Sequence, residues 1–531
     1  MSSDADRTAS ETELDEPFLV PGVDPSSGPA PTPDTLGELP PVRGLEERLP
    51  YEFPDATDLL ASMREGRQTA GALVEEHLAR LTREQSRLNA ACQVRAERAI
   101  AQAAAPVAGP LGGLPISVKE QIGLGGEQVT TGSRRMAPVE CPRDAVVVTR
   151  LKEAGAIILA RGNVPELGLA GETDNPRYGR SNNPLDPTRT CGGSSGGDAA
   201  LVASGSVAAA VGSDMLGSLR IPAAFCGIVG YKPVAGAVDK RGVWPPVSGT
   251  LDGWHCVGPL TRSVRDARMI SEVIAGPLGL PPLLEELEFV VPEPFPLEVN
   301  DPAINSAWQR AARALELAGL RRVSVDFGDI EGLARDVGAV LAVELLPMLE
   351  QMLSTADGSR FSKLQETWRR VRGRASVSNA VFQIMTALPL LKPRGGARAQ
   401  ALLKRYLQAR DRYTSLLGPN RLVLLPTLGV LAPPHSAMNR ASLRPGLNRT
   451  LTPLTLCNYL DLAAICLPAW SDRDPRSGLP PSVTLAGIGG CEPALFAAAS
   501  ALERVLAVPG QAEVPGQEPR LTRSVRRPRR R

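Results

Sequence analysis

The sequence predicts an α/β fold of packed layers, and three observations carry that reading. Segments with helical spacing alternate along the chain with short apolar runs of strand length. Aromatic residues make up only 4% of the chain, so helices and sheet must approach closely on small side chains. The 51 glycines and the many alanines suit that close packing, and 531 residues suffice for a large core.

Taken in order, residues 1–50 hold nine prolines, eleven acids and three arginines. Such a segment buries too little apolar surface to offset its ordering entropy, so disorder is expected there. The folded domain is placed at residues 51–510. Its first clear helix is "TAGALVEEHLARLT" (69–82), capped by Thr69, with Leu73, Leu78 and Leu81 near one face and His77 in solvent beside two acids. "DAVVVTRLKEAG" (144–155) reads as a helix ended by Gly155, and "AIILA" (156–160) as a buried strand. "GGDAALVAS" opens a helix, and "GSVAAAVGS" reads as a strand of small residues. "RLVLLP" (421–426) is another buried strand, and "PALFAAASALERVLA" (493–507) a closing helix. Residues 511–531 form a basic tail expected to be disordered. Its last twelve residues carry seven arginines and no acid, which suits a solvated tail or contact with acidic lipid, nucleic acid or the acidic N-terminal segment.

Several function classes are excluded. A net charge of +2 does not describe a nucleic-acid binder. The eight cysteines form no CxxC pair, so neither a zinc site nor a disulfide framework is signalled, and a reducing, cytoplasmic location is expected. "MSSDADRTAS" has no basic start followed by an apolar run, and no apolar run reaches 18 residues. Neither a secretory signal nor a transmembrane helix is expected.

The candidate chemistry centres on "GSDMLGSLRIP" (212–222), where Ser218 stands in a glycine turn. A nucleophilic serine needs a base. His255 in "DGWHCVG" and His435 in "APPHSAM" lie in loops, and neither has an acidic orienter near it in sequence. Lys119 ends the apolar run of "LPISVK"; a buried lysine loses charge readily and can serve as a base. An ordinary lysine paired with Glu120 is the other reading of that segment. "GSSGG" (193–197) matches the spacing of a hydrolase elbow with Ser195 at its centre, but the polar, proline-broken residues before it are unlike the required strand. The turn at 215–218 returns backbone N–H groups beside Ser218, as an oxyanion hole requires.

The segment 191–227 resembles the amidase signature family. The resemblance rests on Gly192, Gly193, Ser194, Ser195, Gly196, Gly197, Asp214, Gly217, Ser218, Leu219, Arg220 and Pro222. "LPISVKE", "GNVPELGLAGETDNPRYGRSNNPLDP" (162–187) and "VGPLTRSVRDA" (257–267) resemble the family's neighbouring stretches. The likeness runs from about residue 55 to 508 and weakens between 280 and 415. It implies an α/β fold with a central mixed, twisted sheet covered by helices on both faces. It implies a Ser–cis-Ser–Lys triad: Ser218 as nucleophile, Ser194 as the relay with a cis peptide bond, Lys119 as the neutral base. Met215, Leu216, Gly217 and Ser218 would supply the backbone oxyanion hole, and Asp214 and Arg220 would brace the turn. The implied reaction hydrolyses a small-molecule amide through an acyl-enzyme, with no metal, organic cofactor or nucleic acid required.

Leu216 departs from the family pattern, which has glycine or alanine there. A left-handed φ at that position would strain a leucine, and its side chain would fill part of the acyl pocket. This departure keeps open a catalytically silent amidase-fold binding protein. The amidotransferase component that amidates glutamate on transfer RNA is a third reading, although the "GRSNNPLDP" stretch and the divergent 280–415 region look more like the stand-alone, fatty-acid-amide-hydrolase-like branch. "SVSNAVFQIMTALPLLK" (376–392), bordered by Arg369, Arg370, Arg372, Arg374 and Lys392, reads as a core helix or pocket cap, or as an interfacial element touching a membrane surface. Neither the substrate nor the oligomeric state is written in the sequence.

Overall fold

The structure is a computed structural model and describes residues 50–105, 107–292, 299, 301–354, 360–438 and 447–507. The segments expected to be disordered, 1–50 and 511–531, lie outside these residues except for Pro50, which begins a short turn of 3-10 helix.

Helices α1 (Ala56–Arg64), α2 (Ala70–Leu88) and α3 (Ala96–Ala103) open the fold, with β1 (Ala91–Val94) between the last two. Strand β2 (Pro115–Lys119) leads into a separate antiparallel pair, β3 (Glu127–Val129) and β4 (Val139–Cys141). Then come α4 (Val146–Glu153), β5 (Ile157–Gly162), α5 (Gly196–Ala203), β6 (Ala209–Asp214), α6 (Arg220–Cys226), β7 (Val229–Lys232), β8 (Cys256–Thr261) and α7 (Val264–Ala275). The next part is helix-rich: β9 (Glu288–Val290), α8 (Pro302–Leu317), β10 (Arg321–Val323), α9 (Ile330–Met352), α10 (Lys363–Val371), α11 (Asn379–Leu391) and α12 (Gly396–Leu417). The described chain closes with β11 (Arg421–Pro426), α13 (Leu447–Tyr459), β12 (Ala463–Pro468), β13 (Ser482–Gly487) and α14 (Glu492–Leu506).

Eleven strands form one mixed sheet in the order β1-β5-β2-β6-β8-β7-β12-β13-β11-β9-β10. β2 runs parallel to both β5 and β6, whereas β8 lies antiparallel to β6 and β7. Alternate residues of a strand face opposite sides. On β2, Ile116 and Val118 pack with Leu60 of α1, Val148 of α4 and Ile270 of α7. Ser117 faces the other side, where it meets α5. The sheet is therefore covered by helices on both faces. Further along the sheet, Ile465 and Leu467 of β12 pack with α8 and α14. Helices α9, α11 and α12 pack around Val340, Leu349, Val381, Met385 and Tyr406, in a cluster that also takes in Val423 of β11, Ala464 of β12 and Tyr459 of α13. No helix among the described residues is long and apolar enough to cross a membrane.

The sequence-derived elements are found within a few residues of their expected places, with differences that have physical causes. Thr69 accepts a hydrogen bond from the N–H of Ala72 at 3.1 Å, so it caps α2 as a serine-type N-cap does. That helix continues to Leu88 because Gln85 and Leu88 extend its buried face. His77 is a correction: it is buried, not solvated, and its Nδ1 pairs with Leu73 O at 2.9 Å. Burial pulls its pKa down to about 4. Helix α11 runs on through Pro389, burying Val381, Met385 and Leu388.

Candidate active site

Lys119 is the last residue of β2 and is buried in the middle of the sheet. Its Nζ donates to Ser194 Oγ at 2.6 Å and to Ser213 Oγ at 3.0 Å. Burial lowers its pKa to about 7, against the opposing charges of Asp198, Asp214 and Glu120. The pairing with Glu120 that the segment alone allowed does not form. Glu120 instead accepts from Thr130 N at 2.6 Å, Thr130 Oγ1 at 2.8 Å and Thr131 N at 3.0 Å.

The glycine-rich segment brings three serines into this neighbourhood. Ser194 is buried, and the Gly193–Ser194 peptide is cis. Ser195 begins α5 with its side chain turned inward: its Oγ donates to Ser213 O at 3.2 Å, and its N–H donates to Ser218 O at 3.1 Å. It is fully buried and follows no strand, so it does not sit on a hydrolase elbow. Ser218 lies in the turn between β6 and α6, half-exposed. Its hydroxyl makes no hydrogen bond among the described residues.

That turn is held from below. Asp214, the last residue of β6, accepts from Gly217 N at 2.7 Å, Leu219 N at 3.1 Å, Arg220 Nε at 3.1 Å and Asn458 Nδ2 at 3.0 Å. Arg220 Nη2 also reaches Asn458 Oδ1 at 2.6 Å and Leu454 O at 3.0 Å, both on α13. Burial alone would raise the Asp214 carboxyl, yet the Arg220 guanidinium holds it well below the usual carboxylate range. One expected oxyanion donor is thereby corrected: the Gly217 N–H points into Asp214. The N–H groups of Met215, Leu216 and Ser218 make no hydrogen bond among the described residues. The left-handed φ of the turn, +109°, falls on Gly217, so the strain anticipated at Leu216 does not arise. The half-buried Met215 and Leu216 pack against the α9–α12 cluster.

Neither loop histidine hydrogen-bonds a serine among the described residues. His255 is buried, and burial pulls its pKa down to about 3. His435 has a carboxylate partner that sequence order concealed: its Nδ1 lies 3.3 Å from Glu172 Oε1, and its Nε2 lies 3.0 Å from Pro187 O. Both ring nitrogens are thus occupied, and neither meets a serine. Sequence reasoning missed Ser213, Asp198 and Asn458. A serine in the otherwise small, apolar "AAVGSD" was a weak signal for the first. Asn458 lies 244 residues after Asp214 and carried none.

The Amidase family model matches residues 72–496. The A component of the glutamyl-tRNA(Gln) amidotransferase of Synechococcus sp. (strain CC9605) is 35% identical over 288 residues, which is 50% of this chain and 58% of that protein. The chain thus spans less than two thirds of the length of that curated relative. A crystal structure of an amidase superposes with a TM-score of 0.71 at 28% identity, covering 85% of this chain and 100% of the other. A fatty acid amide hydrolase superposes with a TM-score of 0.69 at 21% identity, covering 86% of this chain and 85% of the other, a likeness of fold.

Proposed function

This chain belongs to the amidase signature family of hydrolases acting on carbon–nitrogen bonds of amides, and we propose that it works through Ser218, Ser194 and Lys119. The observation that carries the proposal is the buried Lys119 Nζ placed 2.6 Å from Ser194 Oγ at the end of β2. A base must lie within hydrogen-bond reach of the proton it takes, with a pKa near working pH. Lys119 meets both conditions toward Ser194.

In this reading Ser218 Oγ attacks the amide carbonyl carbon. Its proton passes to Ser194 Oγ as the Ser194 proton passes to neutral Lys119, which becomes an ammonium. Catalytic hydrogen bonds often tighten only once substrate is bound, and the Ser218–Ser194 bond forms at that stage. The N–H groups of Met215, Leu216 and Ser218 face the developing oxyanion, while Asp214 and Arg220 keep the turn in shape. The proton returns through Ser194 to the departing nitrogen, the C–N bond breaks, and amine or ammonia leaves. Water then adds to the Ser218 ester by the same relay, and the Ser218 C–O bond breaks to release carboxylate.

The amidase domain is read as residues 51–510; the family match lies inside these limits, and β1 through β13 share one sheet apart from the β3–β4 pair. The substrate is read as a small-molecule amide, and the location as cytoplasmic. A fluorophosphonate tests the mechanism without knowledge of the substrate. It is expected to add to Ser218, found by peptide mapping, and to be lost in Ser218→Ala. An adduct on Ser195 overturns the assignment. The named relative favours a second reading, a component of a transfer-RNA amidotransferase. Purified chain that hydrolyses simple amides alone supports the first reading; activity that appears only with partner chains supports the second.

A further inference from the structure

Asp198 stands in the first turn of α5, four residues after Ser194, and is fully buried. Its Oδ1 accepts from Ser117 Oγ at 2.7 Å, and its Oδ2 has no hydrogen-bond partner among the described residues. A buried carboxylate oxygen without a donor is costly, so its retention calls for a reason. The surroundings are built to seat it. A Cβ on Gly162 of β5 would lie 2.2 Å from the Asp198 carboxyl carbon, so only glycine leaves the space. Ser117 and Lys119 are alternate residues of β2 and share a face. The carboxylate is therefore held on the side of the sheet from which Lys119 reaches Ser194.

Three carboxylates act on Lys119 by charge: Asp198 most strongly, then Asp214 and Glu120. The other two are already compensated. Asp214 is paired with Arg220 and receives two backbone N–H bonds. Glu120 receives two backbone N–H bonds and a hydroxyl. Asp198 has one hydroxyl donor. Of the other groups facing this pair, Arg161 on β5 spends its guanidinium on Gln128 O and Glu120 O, while Cys92 on β1 and His255 are held neutral by burial.

We propose that Asp198 is a positioning residue for the base, a buried carboxylate whose uncompensated charge stabilises the Lys119 ammonium formed while Ser218 is acylated. The inference rests on the reading of Lys119 as base. It is the electrostatic part played by the acid of a Ser-His-Asp triad, exerted here across the sheet face without a direct hydrogen bond to the base. Lys119 gains the Ser194 proton and a positive charge; burial raises the Asp198 carboxyl to about 7, and the Lys119 charge, which lowers it again, favours the ionised carboxylate once the ammonium has formed.

The test is the pH profile of kcat/KM for a small amide in Asp198→Asn and in Ser117→Ala, the second removing the one donor that favours the ionised carboxylate. Losing the charge weakens the base and makes Lys119 harder to protonate. Each variant is expected to move the acid limb to lower pH, by about one unit in Asp198→Asn. The rate at pH 8 is expected to fall by up to about tenfold, the worth of one pKa unit, with the gap narrowing toward pH 5. A merely structural carboxylate would lower the rate at every pH and leave the limb in place. An unmoved limb, or one moved to higher pH, in folded variants overturns the proposal. If Asp198→Asn does not fold, Ser117→Ala decides alone. Lys119→Ala and probe labelling of Ser218 run alongside: activity that survives Lys119→Ala sinks the base assignment itself, a different outcome from an unmoved limb.

Discussion

The central sheet around Lys119 and the helices over residues 302–417 follow different rules of burial. Every residue of β2 and β6 is buried, and Ser117, Lys119, Ser213 and Asp214 each have a named hydrogen-bond partner. On α10, Leu364, Trp368 and Val371 share one helical face and are 82%, 57% and 83% exposed. The sheet is over-determined, and the helical layer is not. Closed packing with paired polar groups fixes atoms to the tolerance that proton transfer needs. The helical layer meets the site through Met215 and Leu216, which pack on its cluster, so it bears on what fits beside the turn. Changes in the sheet should therefore affect rate and folding, and changes in the helices should affect which substrates are accepted.

The largest effect is expected at Lys119. Lys119→Ala is expected to lose about 10²–10⁴-fold in amide turnover, the usual weight of a general base, and to keep its circular dichroism spectrum. In the unaltered protein the base must be neutral. With a pKa near 7, kcat/KM should fall about tenfold for each pH unit below that value as Lys119 becomes charged. A profile flat to pH 5 would separate Lys119 from the chemistry.

Next in size is the brace under the turn. Asp214→Ala leaves the Arg220 charge buried without its carboxylate, a change that typically costs about 3–5 kcal/mol. A denaturant midpoint lowered accordingly, with loss of probe labelling at Ser218, is the expected result. A stable, fully labelled variant would show that the turn needs no such support.

Leu216 tests the border between the two regions. Its backbone is not in the left-handed region, so leucine removes no donor and acts through volume. Leu216→Gly should change turnover of a small amide by less than about tenfold, roughly 1.4 kcal/mol, while widening the range of acyl groups accepted in a substrate panel. Should the unaltered protein be inert to every amide and to the probe while Leu216→Gly is active, the chain is a silenced amidase.

The smallest effect is expected on α10. Trp368→Ala combined with Leu364→Ser should leave stability within about 0.5 kcal/mol per site and turnover of a small soluble amide unchanged, as exposed positions usually do. A large loss of small-amide turnover would show that the helical layer shapes the site more tightly than its exposure suggests.

Much of this protein was determined by sequence alone, and the reason is local. The alternation of apolar segments gave the layered α/β class. The cap at Thr69 and the run "RLVLLP" placed real elements, because capping and strand burial depend on a few adjacent residues. Ser218 and Lys119 stood out as candidates because a glycine turn and a lysine ending an apolar run leave a local mark, while Ser194 and the roles of all three came from the resemblance to the amidase signature family. Tertiary structure decided what depends on distant partners. His77 reads as solvated beside two acids, yet the fold buries it. The Gly217 N–H reads as an oxyanion donor, yet Asp214 takes it. Ser213, Asp198 and Asn458 join the site from neighbouring strands and helices, and Glu172 meets His435 across 263 residues. Whether a buried polar group is paired, and therefore whether its charge is free to act on Lys119, is a property of three-dimensional contacts that no local pattern encodes.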